Sequence, residues 1–164
     1  MQIISTSRTI YILQHDDNSS AGSLFYSDDS LSEAILTCGK EYSITRQTNG
    51  IWITKETGTK KLQAVCKVRI DGTITLNLDN KKNIFKKPLS WKLRFVLLNE
   101  EKEEVMALLP SINWQKETYD FSLQINEEYT DECDSFIILQ TLHCANCSIS
   151  MMNGDTVPAI VSTS

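Results

Sequence analysis

The strictest pattern in the chain is a two-residue alternation of apolar and polar positions. In KLQAVCKVRI, Leu62, Ala64, Cys66, Val68 and Ile70 share one face, while Lys61, Gln63, Lys67 and Arg69 share the other. That period belongs to a half-buried strand. Asp71-Gly72 then turns the chain into TITLNL, with Ile74, Leu76 and Leu78 inward. An Asp-Gly step between two alternating runs predicts a hairpin. Asp79-Asn80 ends that strand. LSWKLRFVLL repeats the alternation, with Leu89, Trp91, Leu93, Phe95 and Leu97 expected inward and Lys92 and Arg94 outward. A turn at Asn99–Glu103 leads to a run over Val105–Leu109, which Pro110 is expected to stop. YDFSLQIN alternates again through Tyr119, Phe121, Leu123 and Ile125.

Shorter β-like runs precede these, at Gln2–Ile4, Thr9–Gln14, Leu24–Tyr26, Glu41–Arg46 and Ile51–Lys55. The last two flank Asn49-Gly50, a second hairpin signal. Asp16 to Gly22 reads as a polar loop, and Leu31–Thr37 fits either a helical turn or a strand.

The period changes at Ser135. From there to Gly154 no residue carries a formal charge. Asp134 or Ser135 can cap a helix N-terminus, the acids before it favour that end, and Asn153-Gly154 is a good stop. On a helical projection Phe136, Ile137, Ile138, Leu139, Leu142, Ile149, Met151 and Met152 point in several directions, with Cys144, Ala145 and Cys147 between them. A helix apolar all round must be surrounded by protein or by lipid. The stretch is just long enough to span a bilayer, but Gln140, Thr141, His143, Asn146, Ser148 and Ser150 make it too polar for one. It is therefore read as a helix buried within β structure.

About ten evenly spaced strands and one terminal apolar helix predict an all-β fold: a closed or nearly closed antiparallel barrel around a buried helix at about 135–152. One domain is expected over 1–154, with 155–164 a short tail, either a last strand or loose. Closure hides the helix and removes exposed strand edges.

This layout resembles the tubby-like superfamily, which includes tubby C-terminal domains, LURP-one-related proteins and phospholipid scramblases. EYSITRQTNGIWITK resembles its paired early strands. KLQAVCKVRIDGTITLNL and LSWKLRFVLLNEEKEEVMALLP resemble successive barrel hairpins, and DSFIILQTLHCANCSISMM takes the place of its threaded helix. The resemblance covers most of residues 1–152 and rests on order, with no shared catalytic motif. The chain is short for a tubby domain and its helix more polar. The resemblance implies a binding or scaffold protein; tubby domains bind phosphoinositide headgroups through surface Lys and Arg, and scramblases act on lipids.

Charge sharpens the picture. The net charge of −5 divides unevenly: Lys55 to Arg94 holds eleven of the sixteen Lys and Arg against Glu56, Asp71 and Asp79, so +8, leaving −13 elsewhere. An acidic whole argues against nucleic acid as a partner, while a basic middle can form a local anion-attracting patch. Lys61, Lys67, Arg69, Lys81, Lys82, Lys86, Lys87, Lys92 and Arg94, with Lys60 beside them, are the candidate ligand-binding residues, directed at anionic lipid headgroups. The bland alternative is a solvated sheet face. The competing functional reading is a protein-interaction, adaptor or inhibitor domain whose acidic loops, Glu100–Glu104 and Glu127–Asp134, meet a basic partner.

Enzyme chemistry finds little support. The two histidines are His15 and His143, the second expected in the core, and no glycine-rich phosphate loop occurs. Asp16-Asp17, Asp28-Asp29 and Glu103-Glu104 read as solvated turn residues. His143-Cys144-x-x-Cys147 with Cys133 has zinc-ligand residue types, but a single CxxC in an apolar helix reads as buried thiols. A redox role lacks the surrounding βαβ pattern. No catalytic residue, metal or cofactor is therefore expected. Trp52, Trp91 and Trp114 are expected to anchor the core, with Trp114 also placeable on a loop. The N-terminal MQIISTSRTIYILQ lacks a secretory layout and the five cysteines suggest no disulfide framework, so a cytoplasmic protein with reduced thiols is expected, peripheral to a membrane if the basic face engages lipid.

Overall fold

The computed structural model describes residues 1–48 and 50–154. Asn49 of the Asn49-Gly50 turn and the tail 155–164 lie outside the described residues. Twelve strands follow in order: β1 (Gln2–Ser5), β2 (Ile10–Gln14), β3 (Ser20–Tyr26), β4 (Glu33–Cys38), β5 (Lys40–Thr48), β6 (Ile51–Glu56), β7 (Leu62–Val68), β8 (Ile74–Leu78), β9 (Lys81–Lys86), β10 (Phe95–Leu98), β11 (Glu104–Asn113) and β12 (Thr118–Ile125). Each pairs antiparallel with its neighbour in sequence, and β1 pairs with β12, so the sheet closes into a barrel. A 3-10 turn over Glu127–Glu132 leads into helix α1 (Ser135–Met152).

Eight strands enclose little more than their own side chains, whereas twelve leave room for a helix about 10 Å across. Helix α1 fills that room. Every residue from Ile138 to Ile149 is buried. They pack with Ile3, Leu13, Leu24, Leu36, Trp52, Leu76, Phe85, Phe95 and Phe121 from the wall in one core. Asp134 caps the helix, accepting from the Ile137 N–H at 2.9 Å, and Asn153 with Gly154 at φ +73° ends it. Gly22 of β3 lies close against the helix. A Cβ there would lie 2.7 Å from the Thr37 carbonyl oxygen and 2.9 Å from Leu139 Cδ1.

Three polar residues of the helix find partners inside, though Gln140 Oε1 is left without one among the described residues. Gln140 Nε2 donates to Thr54 Oγ1 at 2.8 Å, Thr141 Oγ1 to the Ile137 carbonyl at 2.8 Å, and Asn146 Nδ2 to Tyr26 Oη at 3.2 Å. A wall that supplies such partners tolerates a helix more polar than a membrane span. None of the described helices is long and apolar enough to cross a membrane.

Four local expectations need correction. Leu89 and Trp91 are exposed, because the run LSWKLRFVLL is a strand only from Phe95. An unforeseen strand, β9, follows the two-residue turn Asp79-Asn80, whose φ values of +42° and +69° suit a tight hairpin. The chain must then reverse before β10, and Pro88, without an N–H, starts that reversal. Leu62 and Ile70, at the two ends of the β7 alternation, are exposed as well. Ile70 sits inside a turn closed by Gly72 N–H to the Arg69 carbonyl at 3.0 Å, where its side chain leaves the sheet. Pro110 does not stop β11, which runs to Asn113. Strand β10 pairs β11 only as far as Leu108, so beyond it one side of β11 needs no donor. Of the two forms that Leu31–Thr37 fits, the structure takes the strand, β4 over Glu33–Cys38.

Candidate functional site

In a closed antiparallel barrel the connections after odd-numbered strands share one end. Six lie there: residues 6–9, 27–32, the link from Thr48 to Ile51 that contains Gly50, 69–73, 87–94 and 114–117. The C-terminus of α1 emerges at the same end, beside Leu31, Tyr11 and Arg8. The opposite end holds the N-terminus of α1 and the acidic segments Glu100–Glu104 and Glu127–Asp134. Acids before the helix N-terminus complement the helix dipole.

This division splits the candidate cations in two. Lys61, Lys81 and Lys82 stand at the acidic end. Lys81 Nζ lies 3.9 Å from Glu132 Oε2, and the Lys82 N–H donates to Glu100 Oε1 at 3.1 Å. Lys67, Arg69, Lys86, Lys87, Lys92 and Arg94 gather at the other end, on two consecutive connections and their flanks. Strands β7 and β10, which bear or adjoin Lys67 and Lys92, are not neighbours, since β8 and β9 lie between them. Their charges meet at the rim instead. Successive connections are two strand spacings apart, about 10 Å, which is also about one Debye length at 0.1 M salt. Segments 67–73 and 86–94 carry six cations and one acid, Asp71. Asp71 is occupied locally, accepting from the Thr73 N–H at 2.9 Å and Thr73 Oγ1 at 2.6 Å, which holds its carboxyl below the usual range.

Arg94 has a second task. It meets Glu104 at 2.5 Å, and Glu104 is the register partner of Leu98. The two side chains therefore lie along the outer wall over Val96 and Ala107, the centre of a small apolar cluster with Leu98, Ile84 and Leu109.

Apolar tips crown the same rim. Trp91 is 97% exposed, Trp114 80% and Ile70 64%, and Leu89 is fully exposed. They occupy the three consecutive connections β7–β8, β9–β10 and β11–β12. The alternation around Leu89 and Trp91 concealed them as core residues. Pro88 and Ser90, which accepts from the Lys92 N–H at 3.3 Å, were the available turn signals.

The barrel interior has little accessible chemistry. His143 is fully buried, with Nδ1 2.8 Å from Tyr26 Oη and Nε2 3.6 Å from Cys147 Sγ, and burial pushes its pKa down to about 3. Cys66 Sγ and Cys144 Sγ are 3.7 Å apart, and burial pushes the Cys144 and Cys147 thiols up. Cys133 lies before the helix, at its N-terminal end. No group of three or more metal-ligating side chains converges among the described residues.

Two clefts open at the barrel ends. One of about 610 Å³ adjoins the helix C-terminus, but its Arg8 is paired with Glu117 at 3.0 Å and Asp29 shares its lining, so its net charge is −1 and does not favour an anion. The other, about 470 Å³, lies at the acidic end among Asp79, Asp131, Glu132, Asp134, Phe136 and Lys81. Comparisons with protein families, curated proteins and solved structures found no match.

Proposed function

We propose that this protein is a non-catalytic binding module of tubby-like type, attaching to anionic lipid headgroups through the cationic rim of its barrel. One observation carries the reading: on the 67–73 and 86–94 segments Lys67, Arg69, Lys86, Lys87 and Lys92 stand against one locally occupied acid, Asp71, with Arg94 paired to Glu104, at the end opposite the acidic loops. Lys67, Arg69, Lys86, Lys87 and Lys92 supply the attraction, Arg94 contributes while bracing the wall, and Lys61, Lys81 and Lys82 have no part in it. A closed barrel around an apolar C-terminal helix is the architecture implied by the tubby-like resemblance and supports it. A lumen filled by α1 supports binding at the surface over carriage of a small molecule inside. The bound location is the face of a membrane carrying anionic lipid.

The test is charge reversal at each end. Lys86→Glu with Lys87→Glu is expected to weaken partitioning to phosphatidylserine-containing vesicles by at least roughly thirtyfold, the loss of two basic residues at about 1 kcal/mol each, with the new carboxylates adding repulsion. Lys60→Glu with Lys61→Glu, at the other end, is expected to change it little. An equal loss from both pairs would defeat the assignment of the rim.

A second reading has its own observation: Asp131, Glu132 and Asp134 of the Glu127–Asp134 segment line the 470 Å³ cleft with Asp79, and Glu100–Glu104 lies at the same barrel end, an acidic surface suited to a basic protein partner. The two ends do not compete, so one chain can adapt a basic partner to a lipid surface.

A further inference from the structure

We infer that the rim enters the bilayer interface, with Ile70, Leu89, Trp91 and Trp114 inserted among the headgroups and the barrel standing end-on to an anionic membrane. This rests on the lipid-binding reading above and adds to it an insertion depth, an orientation and a set of anchoring residues.

The argument begins with where apolar surface is left in water. Among the described residues ten large apolar side chains are exposed. Six of them, Ile70, Leu89, Trp91, Ile112, Trp114 and Met152, lie at the end where the helix terminates. Met1 and Leu62 are at the other end, and Phe25 and Ile35 form a cross-strand pair on the wall. Both exposed tryptophans are therefore at the cationic end, while the third, Trp52, is in the core with its Nε1 donating to the Leu31 carbonyl at 2.7 Å.

The anchors stand on turns, not on a flat sheet face. Three consecutive connections of the six at this end carry the tips, so they form an arc over half the rim. Each tip is flanked by bases: Arg69 beside Ile70, Lys86, Lys87 and Lys92 around Leu89 and Trp91, Lys116 near Trp114. Apolar and amphipathic tips interleaved with Lys and Arg match the layered chemistry of an anionic membrane. Phosphates meet the bases, and the indole rings settle at the boundary of headgroup and acyl chain. Two acids lie on the anchoring connections themselves and both are engaged, Asp71 by the Thr73 N–H and hydroxyl and Glu117 by Arg8, while Asp28 and Asp29 are on the β3–β4 connection. Charge complementarity and ring chemistry both favour an anionic bilayer over a protein surface.

The experiment uses the full chain and vesicles of phosphatidylcholine, with or without phosphatidylserine, carrying bromines on the acyl chains near the headgroup. The expected result is quenching of tryptophan emission on the anionic vesicles. Trp91→Ala and Trp114→Ala together are expected to abolish it, leaving unquenched Trp52, and to weaken partitioning by roughly tenfold per tryptophan. Both positions are exposed, so the thermal unfolding midpoint should not move. Binding to anionic vesicles without quenching overturns the insertion and leaves the electrostatic reading standing. Equal quenching on neutral vesicles overturns the electrostatic reading and leaves insertion by the tips. No binding to any vesicle overturns both and assigns the apolar rim to a protein contact.

Discussion

Acidification tests how the helix is held, and the test centres on His143. The ring is fully buried, hydrogen-bonded through Nδ1 to Tyr26 Oη at 2.8 Å, with Cys147 Sγ 3.6 Å from Nε2 and the Trp52 ring edge-on at 5.4 Å. The titratable groups facing it are Tyr26 and Cys147. Burial raises the pKa of both, so neither supplies a negative charge to stabilise an imidazolium. The folded pKa falls to about 3 from the ordinary 6.5, with burial as the cause. Above pH 7 neither the folded nor the unfolded chain protonates this residue, and stability is unaffected. Below 6.5 the unfolded chain takes up a proton that the folded chain refuses, so stability declines until about pH 3. At pH 5 the loss is about 2 kcal/mol, from 1.5 pH units at about 1.4 kcal/mol each. The depressed carboxylates Asp16, Asp17, Asp28 and Asp71 lose their contribution only lower, as pH falls through about 4 and below. Urea unfolding at pH 7.5 and 5.0, followed by tryptophan fluorescence, measures the difference. His143→Gln keeps a polar side chain near Tyr26 but cannot titrate. Whatever its stability at pH 7.5, its decline to pH 5.0 should be about 2 kcal/mol smaller than that of the parent chain. Equal declines in both proteins would refute the argument that a neutral His143 is locked in the barrel.

Other substitutions probe the same packing. Gly22→Ala places a methyl group against the Thr37 carbonyl and Leu139, and is expected to cost about 1–3 kcal/mol in chemical unfolding, a strain that Ala at exposed Gly58 would not produce. Asp134→Ala removes the helix cap and should cost about 1 kcal/mol in the same assay. Cys66, Cys144 and Cys147 should resist a thiol reagent at pH 8 in the folded protein and react only when denaturant opens the barrel, whereas half-buried Cys38 should react first.

The helix was legible because capping, charge and composition agree at both ends: acids before Asp134, no charged residue to Gly154, and Asn-Gly to stop it. The central hairpin was legible for a similar reason, with alternation and an Asp-Gly turn pointing the same way. Strand β9, KKNIFK, was not, because its inward positions Asn83 and Phe85 mix polar and apolar residues and its hairpin partner is reached by Asp79-Asn80, read only as an end. Leu89 and Trp91 misled for the opposite reason. Their alternation is perfect, and alternation reports a periodicity in sequence, not whether a partner strand is there to pair with it. The candidate site follows the same logic. Its residue types were visible, but their division between two barrel ends depends on strand direction, which no local pattern encodes.

Sedimentation of the intact protein with phosphatidylcholine vesicles, with and without phosphatidylserine, at low and high salt tests the central claim most directly. The account predicts selective binding to the anionic vesicles at low salt and its loss near 1 M salt, where screening shortens to about 3 Å. Absence of binding at low salt, or binding indifferent to lipid charge and to salt, would contradict it.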